Sequence, residues 1–582
     1  MNYYSEYVNV NNDNIDFLEY GILDKFEDSF YVNNKYVENN RGLLGDNVYI
    51  ENDKVVGIKE RLNHKIVGVL DLESKVRFSN NNKSVVLFKP SNKLYPFFYV
   101  SYDNKNKNNN NKNAKVYALI DFKIWNVNSK YPYGNLIEVI GNIDSLENTI
   151  EHLRYFYNIR NNSMNVDKLK KKKDIELLES IQEIIPDYYV FSIDPIGSKD
   201  IDDAFHFQKI DEYNYIIGVH IASPYKFFEN DLLTILNRVS TVYSPLKKYN
   251  MLNNDYADNL LSLLENKNRF SLSIIFKIEH GLVSYSIKEC IVKNIKNYDY
   301  DNFDKIYEKD NNLKEFFNYS KSFFNRSSDK DYDSHKLVED WMIYSNKTVA
   351  NYLIKNNNNN LILRSHYCNS NTSNININTI KNINFEHIDN IKLQNYLKNI
   401  NENSAYYEIY DNTKIQKHSK IDNDYYTHFT SPIRRAIDIF NHGLILKKCD
   451  LVNDKKVLEN YLVKINNFTR NCRRFDRICR RLNFIYNIKS NDITLITFGY
   501  IIKIDSYKLT LYISEYELVE NVVLINYKFK NISNVDYNET SIKFKIGNED
   551  EKQYNLYDKL NLKLWVFTTF ENISDKLKVE II

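Results

Sequence analysis

The chain has 582 residues, 43% of them hydrophobic and 26% charged, so it predicts a globular protein of about four domains rather than a disordered one. Only 13 glycines and 8 prolines are present, which excludes collagen-like and elastic proteins. The formal net charge of +2 gives no general argument for nucleic acid, so any such site must be a local concentration of charge.

Cysteine content and hydropathy exclude further classes of protein. Five scattered cysteines argue against a disulfide framework or a zinc module. The N-terminus lacks a basic region followed by an apolar run, and no apolar stretch approaches the roughly 18 residues of a membrane span. We therefore expect an intracellular, soluble protein of the cytoplasm or nucleus, with no membrane partner.

The first 165 or so residues alternate short apolar runs with polar turns, a pattern that predicts small β-barrels. The predicted strands are residues 48–50, 55–58, 65–70, 84–88, 97–100 and 116–120. An Asn/Lys tract at 103–113 predicts a surface insert, and a lysine run at 168–173 predicts a linker or a solvated face.

From residue 191 to about 488 the pattern is mixed α/β, with Asn-rich loops predicted at 356–360 and 369–378. Strands return from residue 494. The runs at 508–513 and 562–566 alternate apolar and polar residues, as barrel strands do.

A cluster of acidic residues follows the first predicted strand of the mixed region. The strand ends at Asp194, and the loop after it presents Asp200, Asp202 and Asp203. Four carboxylates within ten residues repel one another unless a cation neutralises them, and hard oxygen ligands suit Mg²⁺ or Mn²⁺. The alternative is a solvated acidic turn. An EF-hand is excluded, because Phe205 occupies the position that requires glycine.

A second segment, 426–438, predicts a helix that begins beside two arginines. Ser431 is a good N-cap and Pro432 suits the first helical position, which places Arg434 and Arg435 in the first turn. Cations there oppose the helix dipole, so their presence beside free N–H groups indicates an anion site. The alternative is a surface ion pair.

A third segment, 470–481, is an arginine-dense helix. Its arginines follow helical spacing and would form a stripe on one face, either a local basic patch or a solvated, ion-paired surface. They are Arg470, Arg473, Arg474, Arg477 and Arg481.

Together these segments resemble the ribonuclease II / ribonuclease R (RNB) family of 3′→5′ exoribonucleases, and look most like its exosome-type members. The family signature Asp-Pro-(x)4-Asp-x-Asp-Asp-Ala is met in full at 194–204, and Tyr-Thr-His-Phe-Thr-Ser-Pro-Ile-Arg-Arg at 426–435. Further family landmarks follow in order between them.

The resemblance implies a multidomain α/β and β protein. A central α/β RNB catalytic domain would be flanked by two N-terminal cold-shock-type OB barrels and one C-terminal OB barrel. The implied domains are 1–65, 66–165, 175–490 and 494–582. Since only about a dozen residues precede the first barrel, we expect the N-terminal endonuclease domain of large eukaryotic members to be missing.

The resemblance also implies the metal site. Asp194, Asp200, Asp202 and Asp203 would bind two Mg²⁺ ions, with Mn²⁺ as a possible substitute. The chemical step would depend most on Asp202, together with Asp203 and with Arg434 at the scissile phosphate.

Contacts to RNA are implied in the same way. Tyr243 would stack on the terminal base, and Glu339 would bind a ribose 2′-OH. Ser431, Arg435 and Asp476 complete the predicted RNA-binding set.

Several positions depart from the family pattern. Asp476 replaces a glutamate in the arginine helix, Ser223 and Lys226 replace an aspartate and a histidine, and Ala436 replaces a tyrosine. None of these positions belongs to the acidic cluster, but they put the grip on RNA near its 3′ end in question.

The function implied is Mg²⁺-dependent, processive 3′→5′ hydrolysis of single-stranded RNA to nucleoside 5′-monophosphates, in RNA decay or processing. The protein would act alone or in an exosome-like complex. The alternatives are a catalytically impaired RNA-binding protein that retains the RNB fold, and a nuclease directed at DNA.

Overall fold

The computed structural model describes most of the chain, in two compact units: Met1–Ile159 with Arg477–Ile582, and Arg160–Asp476. The described residues are 18–26, 29–62, 65–72, 78–80, 83–102, 115–126, 128–160, 171, 173–176, 188–356, 360–367, 390–400, 404–421, 424–446, 455–490, 493–505, 508–524, 532–538, 540–546, 550–566 and 577–582. The tracts predicted at 103–113 and 369–378, and most of 168–173 and 356–360, lie outside them.

The first unit begins with a five-stranded sheet in the order β3-β2-β1-β4-β5. Its strands are β1 Glu19–Phe26, β2 Ser29–Val32, β3 Lys35–Val37, β4 Asn47–Glu51 and β5 Lys54–Glu60. A bridge between Glu38 and Lys54 links the two edges of this sheet. Alternate side chains such as Leu23 and Val48 fill its interior, which is why its strands alternate in hydropathy.

The second sheet has six strands in the order β6-β10-β11-β9-β8-β7, and an additional β6–β8 pairing closes it. Its strands are β6 Lys65–Asp71, β7 Phe78–Asn80, β8 Lys83–Pro90, β9 Phe98–Ser101, β10 Lys115–Ile124 and β11 Tyr133–Asn142. The helix α1, Leu146–Phe156, follows it, capped by the Ser145 side chain. The sequence pattern predicted β6, β8, β9 and β10, but not β7, β11 or this helix.

The C-terminal part of the first unit has a five-stranded sheet in the order β23-β22-β21-β27-β28 and a three-stranded sheet in the order β24-β25-β26. Their strands are β21 Leu495–Asp505, β22 Lys508–Ile513, β23 Leu518–Val523, β24 Ile532–Tyr537, β25 Ser541–Ile546, β26 Lys552–Asn555, β27 Lys559–Val566 and β28 Leu577–Ile581. The strand predicted at 508–513 is confirmed, and the one at 562–566 lies within β27.

The second unit is built on a closed barrel in the order β12-β13-β14-β17-β18. Its strands are β12 Val190–Asp194, β13 Asp203–Lys209, β14 Asn214–Ala222, β17 Asn268–Glu279 and β18 Leu282–Asp299. Two two-stranded sheets follow: β15 Val242–Tyr243 with β16 Lys248–Tyr249, which is a short hairpin, and β19 Ile362–Ser365 with β20 Tyr406–Ile409.

The chain between residues 225 and 490 also forms helices and short helical turns. They are α2 Tyr225–Phe228, α3 Leu232–Leu236, α4 Tyr300–Ile306, α5 Asn311–Phe323, α6 Ser334–Lys355, α7 Ile391–Ile400, α8 Ala436–Ile445 and α9 Lys455–Ser490, with 3₁₀ turns Glu229–Asp231 and Tyr307–Lys309 and the π-helical turn Tyr256–Leu260. None of the helices in the described part of the chain is long and apolar enough to cross a membrane.

Helix α6 confirms the predicted buried face at 337–349. Leu337, Trp341 and Val349 are fully buried, and the indole Nε1 of Trp341 donates to Ser320 Oγ at 2.9 Å. Glu339, on the same helix, is exposed. The helix therefore packs on the core through one face and presents this carboxylate on another.

The predicted start of helix α8 is wrong. The helix begins at Ala436, and Arg435, its N-cap, has an extended backbone (φ −136°, ψ 124°) with no side-chain cap bond. The Arg434 carbonyl accepts from Thr241 N at 3.0 Å, and Ala436 N donates to Val239 O at 2.9 Å. This strand-like pairing excludes helical geometry, so Ser431 caps no helix and both arginines precede it.

Candidate active site

The ends of two neighbouring strands bring Asp194 and Asp203 to the same end of the barrel. β12 ends at Asp194 and β13 begins at Asp203, and the two strands pair antiparallel. Between them the chain turns sharply, with Ser198 N donating to Pro195 O at 3.0 Å and Gly197 at a φ of +76°. A side chain at that φ would be strained, so glycine suits the turn.

The rest of this loop is fixed to the core. Ile201 is buried, and its N–H donates to Ser262 Oγ at 2.9 Å. The Asp202 carbonyl accepts from Ala222 N at 2.8 Å. A cavity of about 1340 Å³ opens at the loop, and all four aspartates of the predicted cluster line it.

Asp202 joins the two sequence signatures. Its carboxylate is almost fully buried: Oδ1 accepts from Ile433 N at 2.9 Å, and Oδ2 pairs with Arg434 Nε at 3.2 Å. Ile433 lies 231 residues further along the chain. Arg434 also donates from Nη2 to Ser431 Oγ at 3.0 Å. Charge-assisted bonds of this kind hold both partners in one orientation.

A buried asparagine positions the second signature. Asn346 on α6 donates to Tyr426 Oη at 3.0 Å and to Thr430 Oγ1 at 3.2 Å, and accepts from Phe429 N at 2.8 Å. Each of these polar groups is thereby satisfied inside the protein. The signature is thus attached to a long helix rather than to a mobile surface.

A buried carboxylate stabilises the turn that carries Arg434 and Arg435, here called the arginine turn. Asp438 Oδ1 accepts from Ser431 N at 2.7 Å and from Arg435 Nη2 at 2.9 Å. Asp438 is fully buried, so this ion pair with Arg435 is shielded from water. Arg434, whose side chain is 46% exposed, keeps part of its guanidinium open to the cavity.

Burial disfavours the ionised form of these carboxylates unless a cation lies beside them. Burial, with repulsion from neighbouring aspartates, raises the pKa of Asp194 and Asp202 to about 7 and that of Asp203 to about 8. Asp194 Oδ2 is buried and accepts no hydrogen bond. The nearby positive charge of Arg434 therefore does not offset the burial and mutual repulsion of these side chains.

By their chemistry these residues fit a divalent cation. Carboxylate oxygens are the ligands that Mg²⁺ and Mn²⁺ prefer, and an unsatisfied buried oxygen is available on Asp194. Within the described ranges, however, no three acidic, histidine or cysteine side chains already surround one position for an ion. Protein cations take part of that space: Arg434 pairs with Asp202, and Lys248 Nζ lies 2.7 Å from Asp200 Oδ1.

Comparison with known families identifies this unit. The RNB domain model matches residues 183–323 and 315–449, and the Dis3-like cold-shock domain 2 model matches 85–158. This unit contains an RNB domain. The RNB match covers the acidic cluster and the arginine turn, and the cold-shock match runs from β8 through helix α1. The predicted fold class is thereby confirmed, while the four domain bounds stay predictions.

Individual relatives agree with this assignment. The chain is 23% identical over 505 residues to DIS3-like exonuclease 2 of Schizosaccharomyces pombe, covering 69% of this chain and 54% of that protein. It spans about half the length of the curated relatives that it matches.

Solved structures share the fold. Mycoplasma genitalium RNase R in complex with ribose methylated single-stranded RNA matches with a TM-score of 0.72 at 17% identity, over 97% of this chain and 100% of that one. Yeast Ssd1, a pseudonuclease, matches with a TM-score of 0.68 at 14% identity, over 99% and 98%. At these identities the likeness concerns the fold alone.

Most of the predicted site residues of this RNB domain line the one cavity. Besides the aspartates they are Tyr243, Glu339, Ser431, Arg434 and Arg435. Asp476 is not among the residues that line it, although Arg473, one turn earlier on α9, is. The predicted role of Asp476 therefore has no geometric support.

Several lining residues were not predicted as site residues. Arg364 on β19, His366 just after that strand, His418 and His428 also line the cavity. His428 lies inside the second signature, so the motif pointed to this residue, although no role was predicted for it. Arg364 and His366 lie far from either signature along the chain, and only the fold brings them to the cavity, whereas His418 lies shortly before the second signature.

The raised carboxylate pKa values predict how stability depends on pH. Folded Asp203 binds a proton up to about pH 8, whereas its ordinary pKa is 3.8, so the stability of metal-free protein should fall as pH rises through this window. Buried histidines such as His206, with its pKa lowered to about 4, act oppositely below about pH 6.5, so the fall should show between about pH 6.5 and 8. Its slope is at most about 1.4 kcal/mol per pH unit for each carboxylate.

Thermal unfolding in EDTA across this range, for wild type and Asp203→Asn, measures the effect. The mutant should show a shallower fall, and Mg²⁺ should stabilise wild type most at the alkaline end. A metal-free melting temperature that rises from pH 6.5 to 8 and is insensitive to Asp203→Asn contradicts this prediction.

Tyr243 is placed at the cavity with a ring that RNA can reach. The residue is 46% exposed, and its Oη lies 3.5 Å from Asp200 Oδ2. If the ring stacks on a terminal base, Tyr243→Ala should weaken binding near the 3′ end by about 1–3 kcal/mol and change the limit product. Tyr243→Phe is the control, because it keeps the ring. An unchanged product ladder for the alanine variant would count against stacking.

Proposed function

We propose that this chain is a divalent-metal-dependent exoribonuclease that hydrolyses single-stranded RNA processively from its 3′ end to nucleoside 5′-monophosphates. The observation that carries the proposal is the buried contact of Asp202 with Ile433 N and Arg434, which joins the two RNB signatures. This contact lies beside buried carboxylates whose negative charge is not fully neutralised by the protein. Barrels of the OB type hold single strands by stacking and a basic groove, which supports processive action.

The metal ligands proposed are the four aspartates, for two Mg²⁺ ions or for Mn²⁺ in their place. When bound, such ions supply an activated water and neutralise the oxygens of the phosphate that reacts. The structure supports this proposal through the buried, unbonded Asp194 Oδ2 and the raised carboxylate pKa values. The ligands are Asp194, Asp200, Asp202 and Asp203.

The chain's own residues orient the phosphate. Arg434 pairs with Asp202 through Nε, and its half-exposed guanidinium can donate to the scissile phosphate and stabilise charge that develops there. Ser431 keeps the guanidinium in place through Nη2. Arg435 supports the same turn through its bond to Asp438.

Glu339 is proposed to distinguish RNA from DNA. It lines the cavity from an exposed position on α6, where a carboxylate can accept from a ribose 2′-OH. Glu339→Ala should slow RNA cleavage more than DNA cleavage and so narrow the rate ratio between them. Single-turnover cleavage of matched oligonucleotides by both proteins measures it. If the ratio of RNA to DNA cleavage rates is the same for both proteins, another residue must distinguish RNA from DNA.

The function itself is tested with the purified chain alone and a labelled single-stranded RNA, in Mg²⁺ and in EDTA. We expect stepwise shortening in Mg²⁺ only, and poor cleavage of a matched DNA oligonucleotide. Faster cleavage of DNA would favour a DNA-directed nuclease. Activity without other proteins would also show that an exosome-like complex is not required.

A second candidate is an RNA-binding protein without nuclease activity. It is favoured by one observation, the match in fold to yeast Ssd1, a pseudonuclease. Retention of all four aspartates and of Arg434 here argues against it. Binding of RNA with no shortening in Mg²⁺ or Mn²⁺ would establish the second candidate.

A further inference from the structure

A short hairpin holds one of the acidic side chains from two directions. Tyr243 and Lys248 face each other as a cross-strand pair of β15 and β16. Lys248 Nζ lies 2.7 Å from Asp200 Oδ1, and Tyr243 Oη lies 3.5 Å from Asp200 Oδ2. Both oxygens of Asp200 are therefore engaged by the hairpin.

Lys248 has a second carboxylate within reach. Asp258, on the π-helical turn Tyr256–Leu260, places Oδ1 at 3.6 Å from Lys248 Nζ, and this oxygen is buried and accepts no hydrogen bond. The three side chains are only 29%, 14% and 26% exposed for Lys248, Asp200 and Asp258. One ammonium is thus shared between a predicted metal ligand and a neighbouring acid outside the predicted cluster.

We propose that Lys248 is a positioning residue that competes with the divalent cation for Asp200 and thereby sets the metal affinity of the site. This inference rests on the proposed function, because it takes Asp200 as a metal ligand. An ammonium at 2.7 Å occupies the coordinating face of Oδ1, so a cation can use that oxygen only after Lys248 has moved.

Asp258 gives the displaced ammonium a place to go. Its Oδ1 is already close to Lys248 and lacks a hydrogen bond, so a small movement of Nζ exchanges one carboxylate for the other. Two substitutions should therefore act in opposite directions. Lys248→Met frees Asp200 and makes the site more negative, whereas Asp258→Asn removes the alternative partner and keeps Lys248 on Asp200.

Metal binding is measured directly, by titrating the full chain with Mn²⁺ and following free Mn²⁺ by electron paramagnetic resonance. Lys248→Met should bind Mn²⁺ about fivefold more tightly than wild type or better, and Asp258→Asn more weakly. Lys248→Arg retains the charge and should stay near wild type.

Lys247→Met is the matched control. Lys247 precedes Lys248 and lies over the Tyr249 ring, with Nζ 5.3 Å from its centroid, so its loss removes the same charge nearby. Circular dichroism verifies that each variant is folded. An affinity gain in Lys248→Met no larger than that in Lys247→Met, or shifts of the same sign in Lys248→Met and Asp258→Asn, overturns the inference alone. Absence of any Mn²⁺ binding by wild type overturns it together with the metal site of the proposed function.

Discussion

Replacing Asp202 by asparagine should reduce RNA cleavage at least about 10³-fold, while RNA affinity stays largely intact. The amide can still accept from Ile433 N, so the turn retains one of its bonds to this side chain. It loses the charge that pairs with Arg434 and that a metal ion requires, and metal-ion catalysis supplies several kcal/mol of transition-state stabilisation.

Single-turnover cleavage with enzyme in excess, alongside fluorescence anisotropy with the same RNA, separates the two effects. Asp331→Asn is the control, since Asp331 is exposed and does not line the cavity. Cleavage by Asp202→Asn at the wild-type rate would remove the basis for assigning the chemistry to this cluster.

Arg434→Ala should have the second largest effect, a rate loss of about 10²–10³-fold, in the range found when one donor to developing charge is removed. Its stability cost should be modest, because the arginine side chain is 46% exposed and water screens the pair. Arg434→Lys keeps a charge but loses the fork that reaches both Asp202 and Ser431, so it should recover only part of the rate.

The pH dependence distinguishes this role from a structural one. Burial raises the pKa of Asp202 to about 7, and Arg434 opposes that rise. Removal of Arg434 should therefore move the acidic limb of the pH–rate profile to higher pH. A variant that loses rate with an unshifted profile, or that cleaves RNA like wild type, would contradict the assignment.

Local patterns predicted the parts of the site that depend on short stretches of chain. The strand that ends at Asp194, the loop that carries Asp202 and the buried face of α6 all follow from residues close together in the sequence. The start of α8 could not be found in this way. It is set by pairing of Arg434 and Ala436 with residues 239–241, a contact that no local propensity encodes.

Lys248 could not be predicted as a site residue from the sequence for the same physical reason. Its importance depends on a two-strand hairpin that turns it toward Asp200 and on a π-helical turn that supplies Asp258. Both elements are too short for a hydropathy pattern to predict them. By contrast, Arg434 was found from its motif even though its predicted position in a helix was wrong, because the motif specifies chemistry independently of the backbone.

If the acidic cavity removes nucleotides from a free RNA 3′ end, as proposed, an RNA without ends should resist it. A linear single-stranded RNA and a covalently closed circle of the same sequence are incubated with the chain in Mg²⁺, and the products are identified by chromatography. The linear RNA should be converted stepwise to nucleoside 5′-monophosphates while the circle stays intact. Opening of the circle at a similar rate, or a linear RNA that is bound but never shortened, would contradict the proposal.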